Sequence, residues 1–299
     1  MFSLWRRLGW GPPLWQMNAH LLNKAQEFRP DLIWLGKALF IYPRTLRLLK
    51  QLLPSPFLLH NSPDDQLNPD NQSRHYLNSM SLYDLHVTNK TQNIRELRDL
   101  GAPEVYFQDK AFCPDTHRPL PVSPSDRMRL GSRVGFIGAY EEARAQSMLQ
   151  LAKAGIEVRI WGNGWKRGNR LSHPNLRIEG RAVWADEYAL AICATDIHLG
   201  FLRKANRDLQ TARSIEIPAC GGFLLAERTG EHLRLFEEGK EAEFFGSNEE
   251  LLDKVRYYTE HEDIRKQIAM AGRERCLKSG YSNQERMKEL FERLGYLHE

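Results

Sequence analysis

Short apolar runs alternate with amphipathic helical segments along nearly the whole chain, and that alternation leaves few folds open. DLIWL (31–35), SPFLLH (55–60), HVTN (86–89) and VYFQD (105–109) read as strands. Helical segments fall between them at 16–28, 43–53 and 91–100. In the second of these, Leu46, Leu49, Leu52 and Leu53 share a face, and Pro43 suits a first helical turn. From Phe112 to Ser132 the pattern lapses into prolines and serines, which marks an interdomain linker. The alternation then resumes, with strands expected at 133–138, 156–162, 176–180, 196–201 and 222–227. Helices are expected at 141–154, 184–194, 231–236, 248–260, 262–276 and 283–294. Strand and helix in turn build a parallel sheet with crossover helices. The expected fold class is therefore α/β, with two Rossmann-like domains at 1–130 and 131–299. A chain of 299 residues suits two domains.

Charge and cysteine content narrow the class of function. The formal net charge is +4. Residues 1–130 hold 16 Lys+Arg and 12 Asp+Glu, which leaves 26 of each sign in the remainder. An excess this mild argues against a nucleic-acid partner. Cys113, Cys193, Cys220 and Cys276 are far apart and lack zinc-ligand spacing, so no metal site is expected and a cytoplasmic location is. No run of 18 apolar residues is present. The N-terminal segment carries Trp5, Trp10, Trp15, Arg6 and Arg7. It offers a peripheral membrane contact, although a packed or frayed terminus is the plainer reading.

Ligands of open α/β sheets bind beyond the carboxyl ends of the strands. In the later domain those ends carry Gly138, Trp161-Gly162, Arg181, and Arg203-Lys204. Glycine at a strand-to-helix turn lets backbone N–H groups approach a phosphate. Arginine and lysine clamp phosphate as a planar fork and as a point charge. Trp161 can stack on a base or fill the core. Within RSIEIPACGGFLLAE (213–227), Glu216 stands among Ile215, Ile217 and Ala219, one turn before Gly221-Gly222. A partly buried acid needs a partner or a ligand. Asp208 lies eight positions ahead of it, in the loop after a strand.

The stretch 213–227, with LFEEGKEAEFF and EELLDKVRYY after it, resembles the C-terminal signature of CgeB-like glycosyltransferases. FIGAYEEARAQSMLQLAKAGIEVRIWGNGW resembles their opening strand-helix-strand unit, and SPDD, TNK and CPDTHRP match more loosely. The resemblance implies the GT-B architecture, two Rossmann-like domains facing a cleft. It implies a nucleoside diphosphate sugar as co-substrate, with no other cofactor, and an acceptor of unknown identity held by the first domain. Related retaining enzymes carry two glutamates in this region. Glu216 matches the one that holds the donor ribose; Asp208 takes the slot of the one that faces the sugar. It is shorter by a methylene, which leaves retention or inversion open. Arg213 matches a basic position of the signature, and Gly221 and Gly222 match its turn. Arg203, Lys204, Gly138 and Arg144 would meet the diphosphate. The helix at 283–294 would pack back on the first domain.

HNSPDD (60–65) follows an apolar strand, so His60, Asp64 and Asp65 are candidates for a base. His117 and Asp115, in the linker, are weaker candidates to reach the cleft. The chain opens without the usual strand and glycine turn, so the first domain is expected to lack its N-terminal strand. A non-catalytic nucleotide-binding or spore-surface structural protein, and a nucleotide-sugar epimerase, are the alternatives.

Overall fold

A computed structural model describes residues 5, 8–165 and 171–296. The chain divides into two compact units, Met1–Asp109 with Lys204–Asp208, and Lys110–Arg203 with Leu209–Glu299. The Pro-rich stretch expected as a linker thus belongs to the second unit. Phe112 explains why: it is buried, and its N–H bonds Tyr281 O at 3.1 Å while its carbonyl accepts from Asn283 N at 2.8 Å. Part of the stretch is also helical. Pro124–Leu130 follows a capping box in which Ser123 and Asp126 satisfy each other's backbone N–H.

The first unit holds four parallel strands in the order β1-β2-β3-β4: Leu32–Gly36, Phe57–Ser62, Leu85–Thr88 and Val105–Phe107. Among the described residues no strand precedes β1. Its helices are α1 (Pro12–Phe28), α2 (Pro43–Leu52), α3 (Arg74–Leu77) and α4 (Thr91–Asp99). Asn18, buried on α1, ties that helix to α2. Its amide donates to Phe40 O at 2.9 Å and accepts from Tyr42 N and Thr45 Oγ, both at 2.8 Å.

The second unit opens with α5 (Pro124–Leu130), β5 (Ser132–Ile137), α6 (Glu142–Lys153), β6 (Val158–Trp161) and β7 (Leu176–Ile178). It continues through α7 (Ala185–Cys193), β8 (Thr195–Gly200), α8 (Arg213–Ala219), β9 (Leu224–Glu227) and α9 (Gly230–Leu235). It closes with β10 (Glu243–Phe245), α10 (Asn248–Glu260), α11 (Glu262–Lys278) and α12 (Asn283–Arg293). The six strands are parallel in the order β10-β9-β8-β5-β6-β7. Strand β10 escapes a reading by alternation because it spans only three residues, the first of them Glu243. Two apolar clusters cover the sheet, one including Ile137, Trp161 and Ile215, the other Val134, Phe136 and Ile160. Burial on both faces is why these strands read as continuous apolar runs.

Strand order reverses between β5 and β8, which creates a switch point at their carboxyl ends. The two units also share a local device. Asp84-Leu85-His86 at β3 and Asp196-Ile197-His198 at β8 each bury a histidine whose Nε2 bonds a carbonyl six residues back, Met80 O and Ile192 O, both at 2.9 Å.

Candidate donor site

At the carboxyl ends of β5, β6 and β7 the second unit opens a cavity of about 410 Å³, a volume ordinary for a small-molecule site. Its lining includes Gly138 and Ala139 after β5, Gly162 and Asn163 after β6, and Ala182–Ala185 ahead of α7. Tyr188 on α7, Arg213 and Glu216 on α8, and Thr116 and His117 complete the wall.

The two glycine turns press on each other. Gly162 has φ +146°, and a Cβ there would stand 1.9 Å from the carbonyl oxygen of Gly138. Gly138 in turn accepts from buried Trp165 Nε1 at 2.8 Å and donates to Trp161 O at 2.8 Å. The floor is therefore bare backbone held from below. Gly162→Ala is expected to cost about 2–3 kcal/mol, from positive φ and from a clash with backbone that cannot rotate away. Urea titration checks this, and a midpoint equal to that of the parent protein would refute the strain.

Helix α8 has seven residues, so the turn that ends at Gly221 almost begins at Arg213. Ile215 and Ile217 go into the core, while Arg213 and Glu216, three apart, are half-buried on the cavity side. The acid precedes the glycine stop because the short helix has a cavity on one face and core on the other. Arg213 forms no ion pair or side-chain hydrogen bond among the described residues. Glu216 is bonded at one oxygen and flanked at the other. The Tyr188 hydroxyl donates to Oε2 at 2.7 Å, and His117 Nε2 stands 3.7 Å from Oε1. Burial, and then the negative charge of Glu216, push the Tyr188 phenol well above its ordinary range, so it remains a donor.

The other expected donor residues sit elsewhere. Trp161 is 3% exposed, with the guanidinium groups of Arg159 and Arg181 each 4.8 Å from its ring centre, so it cannot stack on a base. Arg181 is engaged by Glu187 through bonds of 2.6 and 2.7 Å. Arg144 is buried and donates to Ala139 O and Leu202 O at 3.2 and 3.0 Å, beside Glu141 at 3.1 Å. It braces the turn after β5 from behind instead of facing the cavity. Arg203 leans on Glu141 at 3.3 Å, and Lys204 belongs to the first unit. Gly221 and Gly222 lie at the far end of α8. Gly221 supplies a φ of +78°, and a Cβ on Gly222 would meet Ile192 at 2.6 Å. They make a turn and a close packing, not a pocket.

The first-unit candidates are bound up in structure. His60 is buried against the rings of Tyr76, Tyr83 and His86, and burial, followed by His86, lowers its pKa to about 3. Asp65 is buried. Arg207 bonds it at 2.8 Å, and Asn93 and the Leu67 N–H at 2.9 and 3.0 Å. These bonds outweigh desolvation and lower its pKa. Asp64 pairs with Lys37, and its side chain is 20% exposed. Asp208, expected to face a sugar, is instead buried on Lys90 and on Asn206 Nδ2 at 2.8 Å. Its loop is fastened to the first unit by Arg207 on Asp65 and on Glu96.

Residues 144–292 match the family model described as glycosyl transferase-like. This stretch is similar to that family. Its range takes in Arg213, Glu216, Tyr188 and Gly162 of the cavity. No curated protein matches the sequence. Among solved structures, Anabaena HepE in complex with UDP and glucose is 17% identical with a TM-score of 0.67, over 94% of this chain and 82% of its own. A glycosyltransferase from Rickettsia africae is 13% identical with a TM-score of 0.68, over 93% and 80%. The sucrose-phosphate synthase of Thermosynechococcus elongatus is 14% identical with a TM-score of 0.66, over 94% and 78%. At such identities the likeness is one of fold, and the fold is GT-B: two Rossmann-like units, with the matched stretch mostly in the second domain.

Three lining residues of that domain carry no sequence signal of their own. Tyr188 looks like any core tyrosine of an amphipathic helix. Trp184 is 75% exposed at the lip. Ala185 takes a φ of +50°, a strained setting for alanine, right beside the cavity. His117 belongs to a loop that reads as solvated, yet it forms the wall.

Proposed function

We propose that the protein is a glycosyltransferase of the CgeB-like kind, taking its sugar from a nucleoside diphosphate sugar. The observation that carries this reading is that Glu216 and Arg213 line one cavity over a glycine floor at the switch point, Arg213 without a side-chain partner among the described residues. Ribose hydroxyls donate to the Glu216 carboxylate. The diphosphate lies against Arg213 and the N–H groups after Gly138. HepE, of the same fold, has been solved with UDP-glucose, and UDP is the nucleotide to test first.

In the reaction the bond from sugar C1 to the diphosphate oxygen breaks, and the electron pair leaves with the diphosphate. An acceptor hydroxyl oxygen bonds C1 and gives up its proton. Stabilising charge on the leaving oxygen is often the largest catalytic term, and Arg213 is the cation placed for it. The acceptor is assigned to the first unit. Asp64, whose side chain is partly exposed, is our candidate for the base there.

We place the enzyme in the cytoplasm, in peripheral contact with membrane through Trp10 and Trp15. Both are about half exposed, with ring centres 6.1 Å apart, and interfacial tryptophans favour such contact. Arg6 and Arg7 lie outside the described residues. Co-sedimentation with anionic vesicles tests the contact, and a protein left in the supernatant at low salt removes it.

A thermal-shift panel of nucleotides and nucleotide sugars tests the donor site. A ligand at 100 times its dissociation constant stabilises by about 2.7 kcal/mol. That shift is expected with a UDP-sugar and is expected to vanish in Glu216→Ala. A full shift in the variant would remove the ribose assignment. Binding without turnover on any acceptor would favour the non-catalytic alternative.

A further inference from the structure

We propose that Tyr188 and His117 are positioning residues, which lock the plane of the Glu216 carboxylate so that its free lone pairs meet the vicinal diol of a ribose. This rests on the reading of Glu216 as the ribose acceptor.

The geometry comes from two separate elements. Tyr188 projects from α7, buried up to its hydroxyl, and spends that single donor on Oε2. His117 comes from the turn 113–117, which closes on itself: the N–H groups of Thr116 and His117 both bond Cys113 O, at 3.2 and 2.7 Å. The Cys113 N–H then donates to His117 Nδ1 at 3.0 Å. Nδ1 is thereby the acceptor, so the neutral ring carries its hydrogen on Nε2, the atom nearest Oε1. The imidazole also meets the Tyr188 ring edge-on, with centres 5.6 Å apart and planes at 68°. Each partner holds the other in place. A glutamate otherwise free at three side-chain torsions is thus bonded at Oε2 by Tyr188 and flanked at Oε1 by the imidazole, 3.7 Å away. A carboxylate offers about four lone-pair sites. With one used by Tyr188, enough remain for two ribose hydroxyls.

Pre-ordering of this kind acts on the ribose and on nothing else in the nucleotide, which makes it separable from a general structural role. Calorimetry with UDP and with 2′,3′-dideoxy-UDP as probes reads it. The parent protein is expected to prefer UDP by at least about tenfold. Tyr188→Phe and His117→Ala are each expected to weaken UDP about tenfold and leave dideoxy-UDP unchanged, so that the preference collapses. His117→Gln, whose amide nitrogen reaches the place of Nε2, is expected to restore most of it. In turnover the loss falls on KM for the donor more than on kcat. If both Tyr188→Phe and His117→Ala keep the parent's preference, positioning is overturned. If Tyr188→Phe does not fold, the His117 pair decides. A parent protein that binds UDP without preferring it to the dideoxy probe refutes the ribose role of Glu216, and with it this inference. A parent protein that binds neither probe refutes the UDP site itself.

Discussion

Lys90→Met is expected to destabilise the first unit by about 3–5 kcal/mol, the usual cost of stranding a buried charge. Side-chain exposure is 1% for Lys90 and 6% for its partner Asp208. Without the ammonium, the carboxylate keeps, among the described residues, only Asn206 Nδ2. Neither water nor another cation replaces what is lost without opening the unit. Asp208→Asn alone is expected to be costly for the mirror reason, since it leaves Lys90 buried and unpaired. The double variant Lys90→Met, Asp208→Asn is expected to recover much of the loss, because it leaves no stranded charge. Urea unfolding monitored in the first unit gives the cycle. If Lys90→Met leaves the midpoint unchanged, the pair does not hold the 204–208 loop. The same experiment bears on catalysis. An Asp208 that faced a sugar would lower kcat on mutation and spare stability, and the opposite is expected.

The second large effect is acid lability well above the carboxylate range. Burial lowers the pKa of His60 to about 3, and those of His86, His198 and His232 to about 4. Each is wedged where a second ring proton has no acceptor or displaces a bond. His232, for example, donates through Nδ1 to Glu227 O at 2.6 Å, and its Nε2 receives the Ser214 hydroxyl at 2.7 Å. In the unfolded chain a histidine titrates near 6.5. Below that pH the unfolded state binds protons that the native state refuses, so stability falls as pH falls. The contribution is complete above about pH 6.5 and is lost progressively down to about pH 4. The slope is at most about 1.4 kcal/mol per pH unit for each histidine. Four of them make a drop of about 5 kcal/mol per unit the upper bound. Urea midpoints measured from pH 7.5 to 4.5 test this. A flat profile down to pH 5 would mean that these rings take up protons without unfolding.

Much of the fold was legible in the residues. Helices such as 43–52 and 248–260 are set by local pattern, with proline at the first turn or a serine cap, and the strands by apolar runs that only a sheet covered on both faces can bury. That Glu216 and Arg213 share a face was legible as well, because an acid and a cation three apart on a helix do so whatever surrounds them, and that face lines the cavity. The misread positions have a common cause. Arg144, Arg181, Arg203 and Asp208 carry the right charge for a phosphate or sugar site, but charge type does not say which partner satisfies it. Glu187 takes Arg181, Lys90 takes Asp208, and two backbone carbonyls take Arg144. Lys90 and Leu202 are distant in sequence from the groups they satisfy, while Glu187 and Ala139 are near but are met only because packing turns the side chain that way. His60 shows the same limit, since a histidine at a strand end reads as a base until its aromatic neighbours are known.

Alternation and turn chemistry thus determined the two α/β units, because hydrogen bonding and burial at that level act over a few residues. Which charged groups remain available for a ligand was decided only by the tertiary structure. A salt bridge forms with whichever opposite charge packing brings within about 4 Å, and that proximity is written in the fold and not in the spacing of the chain.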